Sequence, residues 1–161
     1  MGAPIVRRAV VADALGIATV HVRAWQETYS HLLPADRLAA LAPEDRNDGW
    51  RRILEGDDEE AWVAELDGRI VGWITTSGRD PGRHPRAREL NGLYTLAEVH
   101  GSALGQQLLD AGIGTEPAFL WSAADNPRAA AFYRRNGFAP DGATDEYAML
   151  GTTVTIVRWV R

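Results

Sequence analysis

Neither cysteine nor lysine occurs in this chain, and all seventeen of its basic residues are arginine. Without cysteine there are no disulfide staples, no thiolate metal sites and no cysteine acyl-enzyme. Without lysine there is neither a Schiff-base mechanism nor a GxxxxGK[ST] phosphate loop. The four histidines, His21, His31, His84 and His100, show no metal-ligand spacing, so no metal is expected. A GxSxG nucleophile elbow is missing, as is a GxGxxG followed by an acidic residue at the Rossmann distance. No run is long and apolar enough to cross a bilayer. The opening IVRR and AVVADALGIATV superficially resemble a leader, but Asp13 interrupts the apolar stretch, which reads as an amphipathic globular helix. The expectation is a cytoplasmic protein with no membrane contact. A formal charge of −5 speaks mildly against nucleic acid as a partner. With 161 residues and no internal repeat, residues 1–161 are expected to form a single domain with a core that needs no staples.

What is present begins with NPRAAAFYRRNGF, from Asn126 to Phe138. Asn126 suits a helix N-cap, and Pro127 fits the first helical position, where a missing N–H is no loss. Ala129, Phe132 and Tyr133 then share one face, and Asn136-Gly137 suits the left-handed turn that ends the helix. Tyr133 therefore points inward. Two readings fit this segment alone: a core aromatic on an amphipathic helix, or a phenol delivered to a site.

The second informative segment is LYTLAEVHGSALGQQLL, Leu93 to Leu109: a strand end, a Gly/Ser turn, then a helix with Leu104, Leu108 and Ala111 on one face. Backbone N–H groups at His100, Gly101, Ser102, Ala103, Leu104 and Gly105 would lie at the helix start, where the dipole favours an anion such as pyrophosphate.

The remaining elements follow in order. Ile5 to Ala9 is a short strand, and Asp13 opens a helix with a stripe of Leu15, Ala18, Val22, Trp25 and Tyr29. Pro34 starts a second helical piece, and a further turn or two runs through Trp50, Ile53 and Leu54. The acidic run EGDDEE is a solvated loop. Ala61–Leu66 and Arg69–Thr76 flank Asp67-Gly68, a type I′ hairpin signature. The loop from Gly78 to Arg88, rich in Gly, Pro and Arg, is expected to be mobile. Glu89–Thr95 is a strand, Ala103–Gly112 a helix, Ala118–Ala123 a strand, Pro127–Asn136 the tyrosine helix and Thr152–Val160 a final strand. The fold class is α/β (α+β), a mixed sheet with helices on both faces.

Together the two segments resemble the GNAT N-acyltransferases. The family's NxxAxxFYxxxGF element is carried in full by Asn126, Ala129, Phe132, Tyr133, Gly137 and Phe138. Its phosphate motif, LYV followed by [RQ]xxGx[GA], is matched by Leu93, Tyr94 and Thr95 and by the turn from His100 to Gly105. His100 stands where Arg or Gln is usual, and Ala103 where the central Gly is usual. The resemblance spans nearly the whole chain. It implies a mostly antiparallel central sheet, acetyl-CoA as cofactor, and acyl transfer to a primary amine of a small molecule by direct attack. A protein amine as acceptor, or a non-catalytic acyl-CoA binder of the same fold, are the alternatives, and a homodimer stays open.

The resemblance also assigns roles. Leu93, Tyr94, Thr95, His100, Gly101, Ser102, Ala103, Leu104, Gly105, Asn126 and Tyr133 would bind the cofactor. Tyr133 would protonate the departing thiolate. Glu89, at the start of its strand, would take the acceptor's proton directly or through water, although an ordinary surface carboxylate reads the same way. A backbone N–H among Leu93 to Thr95 would stabilise the oxyanion. The strand is expected to splay from its neighbour to admit the pantetheine arm, with Gly92 at a bulge or close approach. Trp121 is expected in the core. Trp25 and Tyr29, with His31, would line the acceptor groove or else form the buried stripe of the first helix.

Overall fold

Asp67 and Gly68 adopt φ of 51° and 74°, the left-handed pair that a type I′ turn demands, and close the hairpin between β2 (Glu60–Leu66) and β3 (Arg69–Gly78). The computed structural model describes residues 2–161, and this hairpin belongs to a seven-stranded sheet in the order β1-β2-β3-β4-β5-β7-β6. The other strands are β1 (Ile5–Arg8), β4 (Arg88–Thr95), β5 (Phe119–Ala123), β6 (Ala139–Met149) and β7 (Thr152–Val160). Only β4 and β5 pair in parallel, so the mixed, mostly antiparallel sheet is as expected.

Among the described residues five α-helices cover it: α1 (Ala14–Thr28), α2 (Ala35–Ala39), α3 (Pro43–Glu55), α4 (Leu104–Gly112) and α5 (Pro127–Arg135). Helices α1 and α3 pack on one face, against Trp73 of β3. The opposite face receives α4, whose Leu104, Leu108 and Leu109 are fully buried. Gly112 permits that contact, because a Cβ there would stand 2.7 Å from Ile74 Cδ1. Helix α5 lies beside α4, tied by Gln106 Nε2 donating to Asn136 Oδ1 at 2.8 Å.

Several expectations need correction. Leu15 is 47% exposed; Ala18 and Val22 of the expected stripe are buried, and Ala14 and Ile17 join them in place of Leu15. Asp13 stands at the N-cap of α1 as expected, but its carboxylate bonds no helix N–H there; it accepts the Val10 N–H at 2.8 Å and pairs with Arg7. Ala111 is exposed, and Gly112 takes its place on the inner face of α4. Strand β6 went unpredicted, as did the second left-handed turn, Leu150-Gly151 at φ 49° and 75°. Leucine is not a usual residue for that conformation, and β6 is exposed along nearly its whole length, so neither signal was visible. Trp121 lies outside the core, on the sheet surface, beneath the Arg158 guanidinium at 5.5 Å from its ring centre. The 78–88 loop is tethered: Arg79 N–H bonds Ala87 O, Arg86 Nε bonds Arg161 O, and His84 stacks on Phe119.

Candidate active site

β4 decides where the site forms. It pairs with β5 only through Glu89 with Phe119 and Leu90 with Leu120, and the two strands then part. Beyond Leu90 no β5 partner faces Leu93, Tyr94 and Thr95, so the outward-facing backbone groups of that stretch border an open gap. A second irregularity lies beside it. Thr75 pairs with Gly92 and Thr76 with Leu90, leaving Asn91 as the extra residue of a β-bulge, one position from the expected one. Gly92 serves the close approach: a Cβ there would lie 2.8 Å from the Trp73 ring.

A cavity of about 580 Å³ opens in the gap. It is bordered by Leu93, Tyr94 and Thr95, by the turn through His100, Gly101, Ala103 and Gly105, and by Asn126 and Tyr133 of the tyrosine-helix segment. The structure thus brings two sequence-distant motifs onto one cavity. Within the turn, the N–H groups of His100 and Ser102 are already bonded, to Ala97 O at 3.1 Å and Val99 O at 3.2 Å. That leaves Gly101, Ala103, Leu104 and Gly105 to present donors to an anion, a narrower set than predicted. Ser102 turns its hydroxyl onto Val99 O, and the Leu104 side chain is buried in the core, so neither side chain reaches the cavity. Ala103 keeps the turn at a cost: its φ of 68° is left-handed, a conformation that disfavours any Cβ. His100 Nε2 lies 3.2 Å from the Thr95 carbonyl oxygen, which can only accept, so this nitrogen carries the proton and faces the backbone. Two cations that sequence reasoning passed over stand in its place, since Arg128 and Arg135 border the same cavity.

Asn126 caps α5 as predicted, its Oδ1 accepting the Ala129 N–H at 3.2 Å, which leaves the amide NH₂ as a donor. Gly137, at φ 83°, closes the helix with the Phe138 N–H on Tyr133 O at 3.0 Å. Between these ends Tyr133 is 6% exposed and packed against Phe132, Phe138 and Trp159. Burial, with a further push from Tyr29, lifts its phenol above the usual tyrosine range, so it stays protonated.

On the other face of β4 stands a cluster the sequence did not reveal. His21, Trp25 and Tyr29 follow at helical spacing on α1 and meet Trp50 of α3, Trp73 of β3 and Tyr94 of β4, with His21 at the centre, 5.2–5.8 Å from three indole rings. His21 Nδ1 accepts the Trp50 indole N–H at 3.1 Å. Burial, and then the positive charge of Arg46, depress the imidazole to a pKa of about 4, so it is neutral. The Tyr29 and Tyr94 hydroxyls are 2.8 Å apart, and Tyr94 is both a wall of the cavity and a member of the cluster. Trp25 and Tyr29 therefore belong to the packed stripe of the first helix, and the Tyr29 hydroxyl reaches Tyr94 on the cavity wall. His31 does not join them, being held at the surface by Asp125 O at 3.0 Å.

Glu89 is kept apart from the cavity. Its carboxylate forms an ion pair with Arg79, and it lies on the Trp73 side of β4, opposite Ser77.

Residues 22–138 match the acetyltransferase (GNAT) family. The chain belongs to that family. It is similar to the uncharacterized N-acetyltransferase YuaI of Bacillus subtilis (strain 168), 29% identical over 155 residues that cover 91% of this chain and 86% of the relative. An uncharacterized N-acetyltransferase of Archaeoglobus fulgidus is 27% identical over 120 residues, covering 70% and 80%. In fold it is similar to the PaiA N-acetyltransferase of Thermoplasma acidophilum, solved in complex with coenzyme A, with a TM-score of 0.73 at 18% identity over 97% of this chain and 98% of that one. This GNAT protein is thus an acetyltransferase that uses acetyl-CoA. Its parted strands, N–H turn and two free guanidiniums suit a long thioester with an anionic end.

Proposed function

We propose that the protein transfers acetyl from acetyl-CoA to a primary amine of a small molecule, by direct attack of the amine on the thioester. The observation that carries this reading is the protonated Tyr133 phenol on the cavity wall, facing the gap in which the thioester would lie. Acetyl-CoA supplies the activated acetyl group.

The chain's own residues do the rest. Gly101, Ala103, Leu104 and Gly105 offer N–H groups to the pyrophosphate, and Arg128 and Arg135 neutralise further phosphate charge. The Asn126 amide NH₂ bonds the pantetheine arm while its oxygen caps α5. An unpaired backbone N–H within Leu93 to Thr95 receives the developing oxyanion. Tyr133 gives its proton to the departing sulfur. Glu89 takes the acceptor's proton through water, with Arg79 keeping the carboxylate in place. Its face of β4 is shared with Gly92 and Tyr94, which supports an approach of the acceptor from the side opposite α4.

Thermal unfolding with and without coenzyme A or acetyl-CoA, followed by thiol release across an amine panel, tests the reading. Stabilisation by both and release with at least one small amine are expected. Release with a protein N-terminus or protein lysine but with no small amine would transfer the acceptor to a protein. Stabilisation without release from any amine would make the protein a binder.

A further inference from the structure

A second groove, of about 470 Å³, lies between the α2–α3 segment and the tip of the β6–β7 hairpin. Arg37, Leu41, Asp45, Arg46 and Leu150 border it. Its two guanidiniums are held but not neutralised. Arg37 Nη1 donates to Leu150 O at 3.1 Å, and the turn is shaped around it, since a Cβ on Gly151 would fall 2.5 Å from the same nitrogen. Arg46, from the first turn of α3, sits 5.0 Å from the Trp25 ring centre. Neither has a carboxylate partner among the described residues, Asp45 included, although Arg7, Arg69, Arg79, Arg88 and Arg158 all do. With five N–H donors on each guanidinium, most of the donating capacity in this groove is unused within the chain.

A chain of packed aromatic side chains runs between the groove and the cavity. Arg46 covers Trp25, Trp25 meets Tyr29 edge-on at 5.6 Å, and the Tyr29 hydroxyl bonds that of Tyr94, which borders the coenzyme cavity. Two arginines, Arg46 backed by the Trp25 ring and Arg37 anchored on the Leu150 carbonyl, make a forked, weakly hydrated donor set that suits a carboxylate. With Asp45 the groove still carries one net positive charge.

We propose that this groove binds a carboxylate of the acceptor, so that the protein acetylates amines that also carry a carboxylate, with Arg46 and Arg37 as the specificity-determining residues. The inference rests on the amine-acetylation reading above. The carboxylate could belong to a free amino acid or to the C-terminus of a short peptide, and two substrate series separate these sources.

Thiol release is measured for matched pairs, each a primary amine with a carboxylate and its carboxamide, in a free amino acid series of increasing chain length and in a dipeptide series. The carboxylate member should be favoured at least tenfold in kcat/KM in one series, and Arg46→Gln should bring that ratio close to one while the coenzyme-induced rise in Tm persists. Arg37→Gln provides the same comparison should Arg46→Gln fold poorly. Equal kcat/KM for acid and amide in both series, or a ratio that Arg46→Gln leaves intact, overturns the proposal. If no amine releases thiol, the transfer reading fails, and the subsite is judged by binding alone. The carboxylates should then raise the Tm of the coenzyme-bound wild type more than the carboxamides do, and should lose that advantage in Arg46→Gln; no such difference would also overturn it.

Discussion

The two faces of β4 are built in different ways. On the side of α4 and α5, the cavity is made of backbone N–H groups, a cap, two phenols and two guanidiniums, nearly all drawn from two short segments, 93–105 and 126–138. On the side of α1 and α3, the wall is made of side chains taken one or two at a time from α1, α3, β3 and β4. Backbone geometry recognises what every coenzyme molecule shares, the phosphates and the pantetheine arm. Side chains on a packed wall can be exchanged without disturbing that turn. On the proposed reading, coenzyme affinity belongs to one side and the choice of acceptor to the other.

The largest effect should come from the aromatic side. Trp50 is 5% exposed and donates to His21, so Trp50→Ala should cost about 3–5 kcal/mol in denaturant unfolding, leaving a cavity and an unpartnered imidazole. The coenzyme-induced Tm rise should survive in whatever remains folded; its loss would show that the two sides are not separate.

pH probes the same cluster. His21 is neutral when folded, with a pKa of about 4, and near its ordinary 6.5 when unfolded. Its contribution to stability is therefore complete above pH 6.5 and is lost as pH falls toward 4, because the unfolded chain takes up the proton first. The loss should reach roughly 3 kcal/mol. His21→Phe should flatten this part of the stability profile relative to wild type, and an unchanged slope would reject a buried neutral imidazole.

On the coenzyme side, Tyr133→Phe should preserve coenzyme A affinity by titration calorimetry while kcat drops at least tenfold, about 1.4 kcal/mol of barrier. Unchanged turnover would remove Tyr133 from the chemistry and reduce it to a packing residue. The smallest effect is expected at the turn. Ala103→Gly relieves a left-handed alanine worth about 1–2 kcal/mol but adds freedom to the unfolded chain, for a net gain of about 0.5–1 kcal/mol. Thermal unfolding reads it directly, and a loss of stability would mean that the Cβ is supported by contacts that offset its strain.

How much could be read beforehand follows the same division. Asn126, Pro127, Tyr133 and Gly137 declare a helix, its two ends and its inner face within a dozen residues, because capping and helical periodicity are local rules. Asp67-Gly68 declares a hairpin for the same reason. His21 gave no signal, since what neutralises it is Trp50, Trp73 and Arg46, which are distant in sequence from one another or from it. The stripe of His21, Trp25 and Tyr29 at four-residue spacing, and Arg46 four residues before Trp50, were the traces available.

By itself the sequence determined most of the helices and strands, though not β6, together with the Gly/Ser turn before α4 and the inward phenol, since each depends on neighbours within a few residues. Tertiary structure alone decided that β4 leaves β5 after Leu90 and that Asn91 bulges. It also decided that Glu89 faces Arg79 instead of the cavity, and that Arg37 and Arg46 share a groove without a carboxylate partner. These are matters of register and of long-range packing, set by the competition of many contacts for the same backbone, and no local pattern encodes them.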